Sequence, residues 1–184
     1  MKPLSKVWWL LGGLVLAGVM FTFWDYRNYQ KIETINYGHG PGEKAVTWKI
    51  DQLYQNEAAK VRIKYPIELK IINSDIVGFE GEGVKISLKV KPATGMLKDW
   101  EDKEIAGLAK NEQMYGERSY ENTERVNMTV INLQRFEGDK TYMVSRYLAM
   151  KYNRLYTLEF VTELGNWQKN EGNFKEMARS LVLL

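Results

Sequence analysis

From Lys44 onwards, apolar and polar side chains alternate along most of the chain, the spacing of strands whose two faces meet different surroundings. Val46, Trp48 and Ile50 alternate with polar neighbours. Val61, Ile63, Tyr65, Ile67, Leu69 and Ile71 do the same against Arg62, Lys64, Glu68 and Lys70. Pro66 interrupts that run, which predicts either two short strands around a bend or an edge strand. Ile76 to Glu80 and Val84 to Lys91 flank Gly81-Glu82-Gly83 and predict a hairpin. Its second arm sets Val84, Ile86, Leu88 and Val90 on one face and Lys85, Ser87, Lys89 and Lys91 on the other.

The period then changes. Leu97, Trp100, Ile105 and Leu108 share one stripe of a helix predicted from about Met96 to Gln113. Asp99, Glu101 and Asp102 stand near its start, where negative charge meets the positive end of the helix dipole. Glu112 to Arg125 is polar and predicts a mobile loop. Three strands follow, Val126 to Phe136, Lys140 to Tyr152 and Leu155 to Leu164. The tight turns Glu137-Gly138-Asp139 and Asn153-Arg154 make them antiparallel neighbours. Tyr156, Leu158, Phe160 and Leu164 are expected on one face of the last strand. Phe174, Met177, Ala178 and Leu181 fall at helical spacing, with Asn166 or Asn170 as the cap, and the apolar tail Leu181 to Leu184 is expected against the core. The body, 45–184, is therefore expected to be α+β, an antiparallel β-sheet flanked by helices.

Ahead of it lies a different pattern. Val7 to Trp24 is eighteen residues without a charge, and Thr22 is its only polar side chain. As a helix it would span about 27 Å, close to the hydrocarbon thickness of a bilayer. Val7, Trp8, Trp9, Leu10, Leu11, Leu14, Leu16, Phe21, Phe23 and Trp24 form its apolar surface, and the tryptophans at its ends suit the headgroup boundary. A buried core helix is a poor reading of a stretch with no polar face. A cleaved leader, cut after Val15 and Ala17, would leave an exposed apolar terminus. The expectation is one N-terminal transmembrane helix behind a short cytoplasmic tail, residues 1–6, with Lys2 and Lys6 biasing the tail inward and the body outward. Residues 25–44 end in a segment with Gly38, Gly40, Pro41 and Gly42 and read as a linker. A phosphate-cradling loop would need Ser or Thr after Lys44, where Ala45 stands.

Composition narrows the chemistry. The 184 residues are 45% hydrophobic and 27% charged, which suits a packed core. There is no cysteine, which excludes disulfides, thiolate metal sites, cysteine nucleophiles and a lipid-modified cysteine. The single histidine, His39, falls in the linker, where a catalytic base would be poorly held. The net charge is +3, and Lys2 and Lys6 supply two of it, so the body is near neutral and no nucleic acid is expected as a partner.

The remaining candidates each have a plain structural reading. Ser145 lacks a nucleophile elbow and a nearby imidazole. Asp99, Glu101, Asp102 and Glu104 lack the alternating ligand pattern of a calcium loop, and Asp75, Glu80 and Glu82 make a weaker cation candidate. Tyr142, Tyr147, Tyr152 and Tyr156 suit cross-strand packing better than a stacking platform. Asn127-Met128-Thr129 is a sequon placed in a strand. Lys85, Lys89 and Lys91, with Lys64 and Lys70 nearby, offer a possible docking face for anionic lipid or an acidic partner, against the commoner reading of a solvated sheet face. No cofactor or metal is expected.

The stretch KVRIKYP opens a strand, hairpin and helix, and much later come VSRYLAMKYNRLYTLEFVT and NWQKNEGNFKEMARSL. This order, with its basic-aromatic strand, tight turn, LYTLEF strand, tryptophan and final helix, resembles the PsbP-like domains over roughly Lys60 to Leu184. That family includes PsbP, DcrB-type envelope proteins and, more distantly, a Ran-binding import factor. The resemblance implies an αβα sandwich on an antiparallel sheet and a non-catalytic accessory or binding role, with no catalytic motif to carry over. Bacterial members are often tethered by a lipid on cysteine, and here the apolar helix would take its place. The expectation is a single-pass, membrane-anchored, extracytoplasmic accessory domain of a cell-envelope or membrane complex, whose partners are the bilayer and other membrane or envelope proteins. The alternatives are a bitopic scaffold of the type IV secretion kind and, behind it, a membrane-bound hydrolase.

Overall fold

A computed structural model describes residues 48–72, 76–81 and 83–184. The 7–24 anchor, the 25–44 linker with His39, Val46, Asp75 and Glu82 lie outside the described residues. Among the described residues no helix is long and apolar enough to cross a membrane.

In chain order the elements are β1 (Ile50–Asn56), β2 (Val61–Pro66), β3 (Lys70–Ile72), β4 (Val77–Gly81) and β5 (Val84–Pro92), then helix α1 (Leu97–Ala106). After it come β6 (Glu112–Met114), β7 (Ser119–Asn122), β8 (Asn127–Glu137), β9 (Lys140–Lys151) and β10 (Arg154–Glu163). A single 3₁₀ turn leads into α2 (Trp167–Arg179), and β11 (Val182–Leu183) follows it. The strands form two antiparallel sheets. A large one runs β3-β4-β5-β10-β9-β8-β6, with β7 also paired to β8, and a small one runs β1-β2-β11. The hairpins expected from the sequence are present, with Glu80 opposite Lys85, Glu137 opposite Lys140 and Lys151 opposite Arg154.

Alternation decides which side chains meet. One face of the large sheet presents Phe79, Ile86, Leu88, Leu158 and Phe160, all essentially inaccessible to water. They pack against Ile63 and Leu183 of the small sheet and Phe174, Met177 and Ala178 of α2 in one continuous cluster. Phe174 is its hub: its ring stacks on Phe160 at 4.8 Å between centroids, and Trp48 and Trp167 each lie at 5.8 Å. Offset and tilted rings of this kind add to the stabilisation that burial alone gives. On the opposite face Leu97, Trp100, Ile105 and Leu108 lie against Ile131, Leu133, Val144, Leu148 and Leu155. The helical stripe read from the sequence is thus the packing stripe of α1.

The structure differs from the sequence expectation at several points. α1 ends at Ala106, with the Gly107 N–H donating to the Lys103 carbonyl at 2.9 Å, where the pattern predicted a helix to Gln113. Residues after Gly107 are claimed by the sheet: Glu112–Met114 pairs with Arg135–Leu133, and the Phe136 N–H donates to the Asn111 carbonyl at 2.8 Å. The predicted mobile loop from Glu112 to Arg125 therefore holds two short strands, β6 and β7, recruited by the free edge of β8. The run around Pro66 does split into two short strands, as the first of the two readings had it, but β2 and β3 belong to different sheets. The β9–β10 turn is Tyr152-Asn153, one residue earlier than expected, with φ of 52° and 56°. Leu164 leaves the sheet for the 3₁₀ turn and is exposed. Asn166 occupies the N-cap of α2, but its side chain makes no capping bond; instead the Asn170 side-chain amide donates to the Asn166 carbonyl at 3.1 Å. The layer covering one face of the large sheet is part helix and part sheet, so the helix-flanked expectation holds in outline only.

Because Phe160 is fully buried and touches the aromatic hub, Phe160→Ala is expected to cost about 3–5 kcal/mol. Urea unfolding followed by tryptophan fluorescence measures this. A loss below 1 kcal/mol would show that the two layers do not meet there.

Candidate functional site

The large sheet has one face covered across its centre by the small sheet and α2 and the other covered in part by α1. α1 is a helix of ten residues, too short to cover eight strands. What it leaves open is a shallow trough floored by the second set of side chains of β4, β5, β10, β9 and β8. The trough has two lobes of about 680 and 660 Å³, and Arg135, Glu137 and Glu159 line both.

Four charges sit where the lobes meet. Glu159 on β10 lies directly opposite Arg146 on β9, and Glu112 on β6 lies directly opposite Arg135 on β8. Arg146 donates from Nε to Glu159 Oε2 at 2.6 Å and from Nη2 to Glu112 Oε1 at 2.8 Å. Arg135 donates to the same Glu112 oxygen from Nε at 2.9 Å, and its Nη2 lies 3.4 Å from Glu159 Oε1. The result is a closed ring of alternating sign in which each carboxylate serves both guanidiniums. The Ala109 N–H adds a bond to the second Glu112 oxygen at 3.3 Å. Glu112 is 5% exposed, so burial pushes its carboxyl upward, but the Arg135 hydrogen bond and the nearby Arg146 charge outweigh this and hold it below the ordinary value of 4.5. Burial likewise pulls Arg135 down, and Glu112 and Glu159 outweigh it and raise it. Both groups remain ionised at neutral pH. The ring can offer fixed, directional charges to a partner, and it is ill suited to exchanging protons with a substrate.

The sequence did not point to this ring. Its members are separated by up to 47 positions, and each reads singly as a solvated strand charge. Alternation places Arg135, Arg146 and Glu159 on the same face of their strands as the apolar residues Leu133, Val144 and Leu155, so it did not mark them out.

The three lysines marked as a docking face do share the open side of β5. Lys85 pairs with Glu80 at 3.4 Å, and Lys91 pairs with Glu104 at 3.1 Å while lying over the Trp100 ring. Lys89 lines the second lobe and meets no carboxylate among the described residues. Lys64 stands on β2 of the small sheet and does not join them, whereas Lys70 on β3 of the large sheet lies opposite Glu80, which in turn lies opposite Lys85.

The acidic run does not converge on one point, although Glu101 and Asp102 share Arg118, at 3.3 and 2.8 Å. Asp99 accepts from the Met96 N–H at 3.1 Å, Glu101 accepts from the Thr129 hydroxyl at 2.6 Å, Asp102 pairs with Arg118 at 2.8 Å, and Glu104 pairs with Lys91. Among the described residues no group of three or more acidic or imidazole side chains is placed to hold a metal ion. Ser145 is buried and donates its hydroxyl proton to Asn132 Oδ1. Tyr147 and Tyr156 lie in the core and Tyr152 stands exposed at a turn, so the four tyrosines form no platform. Burial raises the Tyr147 phenol well above its usual value. Thr129 of the sequon is fully buried.

This architecture is a PsbP-like fold. The solution structure of the cyanobacterial PsbP protein from Synechocystis superposes with a TM-score of 0.55 at 13% identity, covering 82% of this chain and 99% of that one. A crystal structure from Bacteroides thetaiotaomicron matches with a TM-score of 0.52 at 11% identity, covering 73% of this chain and 49% of that one. The Ran-binding protein Mog1p of Saccharomyces cerevisiae matches with a TM-score of 0.48 at 9% identity, covering 72% and 94%. No protein-family model and no curated protein matches the sequence.

Glu112→Ala leaves two half-buried guanidiniums sharing one carboxylate and is expected to cost about 3 kcal/mol. Glu163→Ala, which removes an exposed partner of Lys140, should cost less than about 1 kcal/mol. Equal losses in chemical denaturation would mean that the ring is no more than a surface feature.

The pH dependence has a definite sign. The folded-state value of Glu112 is lowered, so its contribution is complete above about pH 4.5 and is lost as pH falls through the lowered value. Glu112→Gln should flatten the acid limb of a stability-against-pH curve below pH 4.5. An unchanged limb would place the acid sensitivity elsewhere.

Proposed function

We propose that this protein is a single-pass, membrane-anchored and non-catalytic accessory domain, which binds other proteins of a cell-envelope or membrane complex on the far side of the membrane from the cytoplasm. The observation that carries the reading is the open half of the large sheet. There the folded domain exposes a trough floored by rigid, internally paired charges beside Lys89, which meets no carboxylate among the described residues. Such a surface selects a partner by matching charge and shape at little entropic cost, because the ring is already ordered before contact. The apolar run Val7 to Trp24 supports the anchor, and tethering would let a modest affinity suffice by confining both partners to one membrane. The likeness to DcrB-type envelope proteins belongs to the same reading, with an apolar helix in place of a lipid.

A hydrolase would need a carboxylate poised to take or give a proton. Glu112 and Glu159 do converge, but each lies between two guanidiniums, and Glu112 is held ionised. This favours binding over acid–base chemistry.

The test uses the full-length chain in its native membranes. After high-salt and alkaline washes it should stay with the membrane fraction and be released by detergent. A photo-crosslinking residue at Ser87, on the trough floor, should give a discrete heavier adduct that Lys89→Glu abolishes. Release by salt alone would sink the anchor, and recovery of nothing but monomer from Ser87 would sink the trough as a docking surface.

A further inference from the structure

Away from the trough, at the end of the domain where β9 turns into β10, lies a group of cations that meet no carboxylate partner among the described residues. Lys60 closes the β1–β2 turn, and Lys151 and Arg154 flank the Tyr152-Asn153 turn. The two turns are bound together. Arg154 Nη1 donates to the Ala58 carbonyl at 2.9 Å, and the Tyr156 hydroxyl donates to the Ala59 carbonyl at 3.1 Å. Lys60 Nζ lies 5.5 Å and Lys151 Nζ 4.9 Å from the centroid of the Tyr152 ring.

Among the described residues none of Lys60, Lys151 and Arg154 forms an ion pair. Lys151 donates to the Leu183 carbonyl, and Arg154 is held by a carbonyl as well. The one acid in these turns, Glu57, accepts from the Gln55 side-chain amide. The cations of the trough and of α2, by contrast, mostly meet carboxylates.

Tyr152 makes the arrangement more pointed. It is 59% exposed at the hairpin tip and adopts φ of 52°. A left-handed conformation is costly for a bulky residue, and two-residue turns of this kind are served more cheaply by Asn-Gly. Strain kept in an exposed aromatic invites a functional reading.

We propose that this tip docks on an anionic phospholipid surface, with Lys60, Lys151 and Arg154 among the headgroup phosphates and the Tyr152 ring at the headgroup boundary. Cations held near an anionic leaflet are attracted to it, and a phenol ring is favoured at that depth. The proposal deepens the membrane-anchored reading and rests on it for the biological setting. The tip lies at the far end of β1 from Ile50, about 20 Å along the strand. Residues 25–47 are long enough when extended to bring either end of the domain to the surface. Docking would fix the orientation of the domain and so the direction in which its trough faces.

The chain has no cysteine, so Ala58→Cys gives a single attachment point beside the tip. The full-length chain, labelled there with a polarity-sensitive fluorophore, is reconstituted into vesicles of phosphatidylcholine alone or with one-third phosphatidylglycerol. In the anionic vesicles the label should shift to the blue and be quenched by spin-labelled lipid, and 0.5 M salt should reverse both. Each cation favours docking on the order of fivefold, so Lys60→Ala, Lys151→Ala and Arg154→Ala together should lower the docked ratio by about a hundredfold. A label at Leu164→Cys, in the 3₁₀ turn after the other end of β10, should not respond. Circular dichroism of the triple variant confirms that it is folded, and Lys60→Glu alone provides a milder second variant that should still weaken docking.

No response in anionic vesicles, or the same response in both kinds, overturns the proposal and leaves the patch to an acidic protein partner. Failure of the chain to float with phosphatidylcholine vesicles removes the anchor instead. In that case docking stands if the chain floats with anionic vesicles and falls if it does not.

Discussion

A strand presents side chains to both faces of its sheet, and this domain has covering material for only part of the second face. That constraint organises the molecule. The small sheet and α2 fill one side of the large sheet with aromatic and branched side chains. α1 supplies a ten-residue helix for the other side and protects mainly the region around Leu133, Leu148 and Leu155. Where cover runs out, the side chains that would have been apolar are charged, and they must be satisfied in the plane of the sheet.

The ring of Arg135, Glu112, Arg146 and Glu159 is the solution at that boundary. A lone half-buried guanidinium would be unfavourable, since it loses hydration without a replacement. Four charges of alternating sign, each bonded to two others, replace the lost water with hydrogen bonds of fixed direction. The same arrangement explains why the trough is better suited to recognition than to reaction. Its charges are ordered, and Glu112 and Arg135 are held in their ionised states, whereas a catalytic acid or base must change state during turnover. The cations at the β9–β10 tip follow the opposite rule: Lys151 and Arg154 are oriented by backbone carbonyls, and among the described residues no carboxylate pairs with Lys60, Lys151 or Arg154.

Much of the fold was legible because period two is a direct consequence of strand geometry. The Val84 to Val90 face, the hairpin after Gly81 and the stripe Leu97, Trp100, Ile105 and Leu108 emerged as the spacing indicated. Segments too short for periodicity did not. Glu112–Met114 and Ser119–Asn122 are polar and brief, and they are strands because the edge of β8 offers unpaired backbone groups. For the same reason α1 stops early: hydrogen bonds to β8 outcompete another helical turn beyond Gly107. The small sheet was equally hidden, because nothing in a run broken by Pro66 says that its halves will join different partners.

The candidate site was half legible. Lys85, Lys89 and Lys91 could be assigned to one face from alternation, while the fate of each lysine depended on acids elsewhere: Glu80 across the hairpin, Glu104 on α1 and, among the described residues, none for Lys89. By itself the sequence determined which residues share a face, where the chain reverses, and that an apolar run precedes a near-neutral body. Tertiary structure alone decided which face is buried, which charges meet and which are left over. Periodicity is a property of neighbours along the chain, whereas burial and ion pairing depend on distances between strands that only the packed sheet brings together.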